Sequence, residues 1–163
     1  MKSIIMALVE NKAGILARTA GLFARRGFNI ESLAVGETVN PSVSRMTIVV
    51  EGDHNIIGQV EKQLNKQIDV IKVRVLSPED AVRREAALIK VKADADGRRQ
   101  VADIAMLMKA EVVDLSPTTA TIEIVDSPER VQQLLGLLKP YGIVEMARTG
   151  MVALHKGANA IGL

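Results

Sequence analysis

The sequence predicts an α+β fold built from two βαββαβ repeats in tandem. Three observations carry this. Apolar runs of strand length alternate with stretches of helical spacing in that order. The order recurs about 80 residues later, with Gly14 and Gly97 in equivalent places after the first strand of each repeat. The composition, 163 residues with 48% hydrophobic and 25% charged, is that of an ordinary globular chain.

Ile4–Glu10 is a near-continuous apolar run of strand length, and Asn11-Lys12-Ala13-Gly14 is turn chemistry. Over Ile15–Arg26 the residues Ile15, Leu16, Thr19, Leu22 and Phe23 share one helical face. Arg25 and Arg26 sit in the last turn, where cations complement the helix dipole, and Gly27 ends the helix in the left-handed conformation. Asn29–Glu37 reads as a strand, Asn40-Pro41-Ser42 as a turn and Ser44–Glu51 as a strand. Asn55–Lys66 has Ile56, Ile57, Val60 and Leu64 on one stripe, and Ile68–Leu76 closes the first repeat as a strand. Ser77-Pro78-Glu79-Asp80 has the signals of a helix start and predicts a short helical linker through Arg84.

The second repeat follows with a strand over Ala87–Ala93, a turn at Asp94–Gly97 and a helix over Arg98–Lys109. Glu111–Leu115 and Thr119–Val125 form a hairpin around Pro117. Ser127-Pro128-Glu129 starts a helix reaching Leu138, and Ile143–Leu154 is the last strand. The Gly/Ala-rich tail from His155 is expected to fray. Each repeat is thus a ferredoxin-like unit, a four-stranded antiparallel sheet with two helices on one face. The expected division is residues 1–76, a linker over 77–84 and a second domain over 85–163.

A sheet with helices on one face alternates apolar with polar residues. Ile4–Val9 does not alternate, and Met46–Val50 is apolar on both faces except for Thr47. The face opposite the helices is therefore expected to be covered, by the second domain, a second copy or another protein. Units of about 75 residues are marginal alone, which points to an oligomer.

Composition excludes several functions. Cysteine is absent, so disulfides, thiolate nucleophiles and Cys-based metal sites are ruled out. Only His54 and His155 are available as imidazole ligands, and no metal site is expected. No nucleophile motif or phosphate loop occurs, so no catalytic residue is assigned. Asp94 and Asp96 read as a solvated turn. No window reaches the ~20 apolar residues of a membrane span, and Ile4–Val9 is too short for a signal peptide, so a cytoplasmic protein is expected. A net charge of +2 is no nucleic-acid signal. The aromatics are Phe23, Phe28 and Tyr141, placed on a helix, at a helix exit and in a turn. They offer no sheet platform for stacking bases, which disfavours an RNA-binding module.

One corner suits a small zwitterion. Glu10–Leu16 leads a strand into a helix start, whose free N–H groups favour a carboxylate. Gly14 allows close approach to the backbone. Asn11 and Asn29 supply amides, with Ile15, Leu16 and Ile30 as pocket residues. The second repeat keeps its glycine but has no Asn before Asn159, so the site is expected in the first domain only.

Glu10–Leu16, Gly21–Leu33, Ser44–Ile48 and Gln59–Lys66 closely resemble the small, regulatory subunits of acetolactate synthase (acetohydroxyacid synthase). Arg84-Glu85 and Ile143–Gly150 extend the resemblance over essentially the whole chain. It implies that the first domain is an ACT domain, which forms a homodimer and binds valine, or another branched-chain amino acid, at the dimer interface. Asn11, Gly14, Leu16, Asn29 and Ile30 match the family's effector contacts. Ala13, where the motif tolerates change, and Ile15 complete the candidate set. The resemblance further implies that catalysis belongs to a separate large subunit, with its thiamine diphosphate, Mg²⁺ and FAD, and that this chain carries no cofactor. The second domain is expected to help set assembly with that partner. A stand-alone amino-acid sensor is the alternative, disfavoured because no output domain is attached.

Overall fold

A computed structural model describes residues 2–162. They fall into two compact units, one built from the chain up to Arg83 with the segment from Gly150 onward, the other from Arg84–Thr149.

The first unit runs β1 (Lys2–Glu10), α1 (Ile15–Arg26), β2 (Ile30–Glu37), β3 (Val43–Glu51), α2 (His54–Asn65) and β4 (Val70–Leu76). Its antiparallel sheet has the order β2-β3-β1-β4, so β2 is an edge strand. The second unit runs through β5 (Ala81–Lys92), α3 (Gly97–Leu107), β6 (Glu111–Leu115), β7 (Thr119–Asp126), α4 (Pro128–Leu138) and β8 (Ile143–Arg148). Its order, β6-β7-β5-β8, repeats that of the first. A last strand, β9 (Val152–His155), pairs with β5.

Most local signals act as the sequence suggests, but Leu16, expected on the inward face of α1, is 47% exposed, and Ile68, expected in the closing strand, precedes β4. α1 buries Ile15, Thr19, Leu22 and Phe23, and Gly27 ends it at φ 69°. The N–H groups of Gly27 and Phe28 close the last turn on the Ala24 and Phe23 carbonyls. α2 starts one residue earlier than expected, because the Asp53 carboxylate accepts from the Ile56 N–H at 2.9 Å. The first core joins Ile5, Ala7 and Val9 to Met46, Ile48, Val50 and to Ile57, Val60 and Leu64 of α2. The second joins Ile89, Val91, Ile122 and Ile124 to Val101, Leu134 and Leu138.

Four expectations are corrected. The helical linker over 77–84 shrinks to one 3-10 turn, Pro78–Asp80, and β5 begins at Ala81. From Ala81 the sequence is largely buried at every second residue, which is strand periodicity and overrides the helix-start signal. The predicted strand 143–154 is two strands broken at Thr149-Gly150-Met151. The segment after the break belongs to the first unit, so the second unit does not extend over 85–163. Finally, the tail is not simply frayed, because Ile161 is only 7% exposed.

That segment also answers the question of the covered face. Ile4, Met6, Leu8, Val43 and Val49 point away from the helices and pack with Ala81, Met151, Ala153 and Ile161. The cover is largely the chain's own segment from Met151 to Ile161, which the expected division had placed in the second domain and which groups with the first unit.

Candidate functional site

The corner between β1 and α1 is fixed by hydrogen bonds to the β2–β3 turn. The Asn11 backbone N–H donates to the Ser42 carbonyl at 2.8 Å, and its Nδ2 to the Pro41 carbonyl at 2.9 Å. This orients the amide, and among the described residues no hydrogen bond to Oδ1 is formed. Gly14 caps α1 at φ 87°, ψ −10°, a conformation that disfavours any residue with a Cβ. No side chain caps α1, and no acid lies in its first turn. Its first N–H groups therefore have no intrahelical partner, three residues along the chain from the Asn11 amide.

The other long helices differ. Asp53 caps α2 and Ser127 caps α4. At the equivalent corner of the second unit, Asp94 Oδ1 accepts from the Gly97 N–H at 2.7 Å and the Asp96 N–H at 3.2 Å. A cleft of about 550 Å³ opens there beside Lys92, Thr118 and Tyr141, but its helix start is already served by a carboxylate. The second repeat supplies its own anion where the first leaves room for one. This gives a physical form to the asymmetry seen in the sequence.

Charge around the first corner is balanced. Arg18 pairs with Asp69 and Lys12 with Glu10, each at 2.5 Å. The hydrogen bond and charge of Glu10 raise the Lys12 pKa above its ordinary value. Both cations are exposed and flank the helix start.

The candidate residues separate into two groups. Asn11, Ala13, Gly14 and Leu16 share the corner, all exposed, with Leu16 at 47%. Ile15 is at the same corner, but its side chain is 4% exposed and belongs to the core. It is corrected from a pocket residue to a core residue that can offer a ligand only its backbone N–H. The reason is helical spacing, since Ile15 shares the inward face with Thr19, Leu22 and Phe23. Asn29 and Ile30 lie elsewhere. Ile30 pairs with Val50, whereas Glu37 at the other end of β2 pairs with Ser44, beside Val43 and Glu10. Seven strand positions, about 23 Å at 3.3 Å per residue, separate the level of Ile30 from that of Glu10. One chain does not bring the two groups together, so a single corner does not hold all of them.

The aromatics are spent on packing. Phe23 is 1% exposed and meets Phe28 edge-on, with ring centroids 6.4 Å apart. Among the described residues no group of three or more His, Asp or Glu could hold a metal ion. Among them, too, no helix is long and apolar enough to cross a membrane.

The βαββαβ order and β2-β3-β1-β4 sheet of the first unit are those of an ACT domain, and the chain falls in the class of ACT-domain proteins. A family model described as "AHAS small subunit-like ACT domain" matches residues 5–72. Another, "Small subunit of acetolactate synthase", matches residues 84–157. The probable acetolactate synthase small subunit of Methanothermobacter thermautotrophicus is 45% identical over 159 residues, covering 97% of this chain and 95% of its own. That of Mycolicibacterium smegmatis is 49% identical over 158 residues, covering 97% and 93%. The crystal structure of the Thermotoga maritima acetolactate synthase small subunit superposes with a TM-score of 0.90 at 38% identity, covering 98% of this chain and 99% of that one. The chain belongs to the family of acetolactate synthase small subunits. Its relatives are named as the small subunit of the enzyme, in agreement with the expectation of a regulatory, non-catalytic chain.

Proposed function

We propose that this chain binds a branched-chain amino acid, valine foremost, and through it controls the catalytic subunit of acetolactate synthase in the cytoplasm. The observation that carries the reading is the uncapped start of α1 at Gly14, three residues along the chain from the Asn11 amide. The N–H groups take the carboxylate, the amide oxygen takes the ammonium, and Leu16 lines the side-chain pocket. Asn29 and Ile30 complete the site from a second copy. Antiparallel pairing of two β2 edges reverses one strand, which sets Ile30 of one copy near the Glu37 end of the other, where the corner lies. The unpaired edge and Val35, 45% exposed, suit such a contact.

Without valine the chain raises the activity of the large subunit, which holds thiamine diphosphate, Mg²⁺ and FAD. Valine favours the arrangement the large subunit disfavours, and activation falls. Coupling of this kind is about 1–3 kcal/mol and is reciprocal. The test is a thermal shift with valine, isoleucine, leucine and an unrelated amino acid, followed by reconstitution with a catalytic subunit. At a hundred times Kd a ligand adds about 2.7 kcal/mol. Stabilisation by valine, and valine inhibition of the reconstituted enzyme, are expected. No shift and no inhibition with any branched-chain amino acid would overturn the reading.

A further inference from the structure

Ser32, Arg45 and Gly150 fall within the segments that carry the family resemblance, yet the effector site uses none of them. In the structure all three meet at the C-terminal segment. The Met151 N–H donates to Ser32 Oγ at 2.9 Å. A Cβ on Gly150 would lie 2.2 Å from the Leu33 carbonyl oxygen, so only glycine lets the chain pass this close to β2. Arg45, on the same sheet face, donates to the Ala153 carbonyl and lies 2.8 Å from Met6 Sδ. Burial lowers its pKa, so a costly cation is kept under the segment to hold one backbone oxygen. At the far end Lys156 donates to the Asp80 carbonyl through its backbone and to the Glu79 carbonyl through Nζ.

We infer that the segment from Gly150 to Ile161 is a strap that sets the position of β2, with Ser32, Arg45 and Gly150 as positioning residues for the effector site. This rests on the reading of that site as one completed by Asn29 and Ile30. The strap grips β2 at Ser32–Ala34, one residue beyond Ile30 and at the bulge between Ile30 and Ser32. A docked strap therefore fixes the strand that presents Asn29 and Ile30. It also fixes the edge that pairs with the second copy. By linkage, an effector that needs β2 in this position must tighten the strap in turn.

The test is amide hydrogen exchange on the full-length chain reconstituted with its catalytic subunit, with and without saturating valine, alongside the inhibition curve. Slower exchange at Met151–Lys156 on adding valine is expected. In the Ser32→Ala variant the Met151 N–H is left without its acceptor. Strap exchange should rise about 5- to 160-fold, the range for an unpaired, partly buried donor. The valine concentration for half inhibition should rise with it, while the uninhibited rate is unchanged. Ser32→Thr, which keeps an acceptor hydroxyl, should restore both. Inhibition by valine with unchanged strap exchange, or a Ser32→Ala variant that opens the strap without shifting the valine response, would overturn the inference and leave the effector site standing. Absence of any valine inhibition would instead overturn the effector reading, and this inference with it.

Discussion

Replacing Gly14 separates backbone strain from charge at the effector corner. At φ 87° an L-residue carries roughly 1–2 kcal/mol of strain. Reduced freedom of the unfolded chain returns about 0.4–1 kcal/mol of that for Gly14→Ala. The new Cβ meets only the end of a flexible side chain, Arg18 Nη1 at 3.2 Å. Gly14→Ala should thus lower stability by about 1 kcal/mol, or roughly 2–4 °C in Tm for a chain this size. Its helix N–H groups remain available, and valine affinity should fall only several-fold. Gly14→Asp carries similar strain, partly offset by about 0.3–1 kcal/mol from an anion at a helix N-terminus. Its carboxylate sits beside Arg18 and the N–H groups meant for the ligand. Each charge-assisted hydrogen bond denied to the valine carboxylate is worth about 1.5–3 kcal/mol, or roughly 12- to 160-fold in affinity. Calorimetric titration with valine should therefore give near-normal binding for Gly14→Ala and at least a tenfold weakening for Gly14→Asp, with both variants folded. Equal weakening in the two would refute the role of the N–H groups, and undiminished binding by Gly14→Asp would refute the site itself.

Other outcomes follow from the packing and the charges. Leu134 is fully buried, and Leu134→Ala should cost about 2–5 kcal/mol in chemical denaturation. The Asp126 pKa is lowered, first by the Ser127 N–H and then by Arg130. A lowered carboxyl pKa adds stability above the unfolded value, about 3.9, and that contribution disappears as pH falls through the folded value. Wild type should therefore exceed Asp126→Asn in urea midpoint at pH 7, with the gap closing below pH 4. A constant gap would assign the effect to missing hydrogen bonds alone. Glu85 is 5% exposed and paired with Arg148, 2.9 Å from Nε. Glu85→Ala should destabilise the chain by about 1.5–3 kcal/mol, the range for a hydrogen bond to a charged group.

Much of this was legible in the sequence wherever the signal is local. Gly27 and the spacing of Ile15, Thr19, Leu22 and Phe23 define α1 without reference to the rest of the chain. The alternation beyond Ala81 was also present, but the Ser77-Pro78 start signal masked it. Long-range facts left weaker traces. The doubly apolar β1 and β3 announced a covered face without naming the cover, because Met151, Ala153 and Ile161 lie more than a hundred positions away. Met151, Ala153 and Ile161 are spaced by a bend and a loop, and no periodicity links them. At the site, the helix start was readable as an anion acceptor. The distance between Gly14 and Ile30 was not, because it depends on strand register. The side-chain direction of Ile15 was readable from helical phase, yet proximity to Gly14 suggested a ligand contact.

The strap also bears on how the chain is made. The first unit is discontinuous, its two stretches separated by the whole of the Arg84–Thr149 unit. The Arg45–Ala153 contact spans 108 positions. A nascent chain therefore presents Ile4, Met6, Leu8, Val43 and Val49 without the cover of Met151, Ala153 and Ile161 until those residues have been made. The contiguous Arg84–Thr149 unit has all its own residues earlier. Closure of so distant a contact is slow relative to local folding, and the interval exposes an apolar sheet face. Chains cut short before Gly150 should accumulate as aggregates, where those cut after Ile161 should stay soluble.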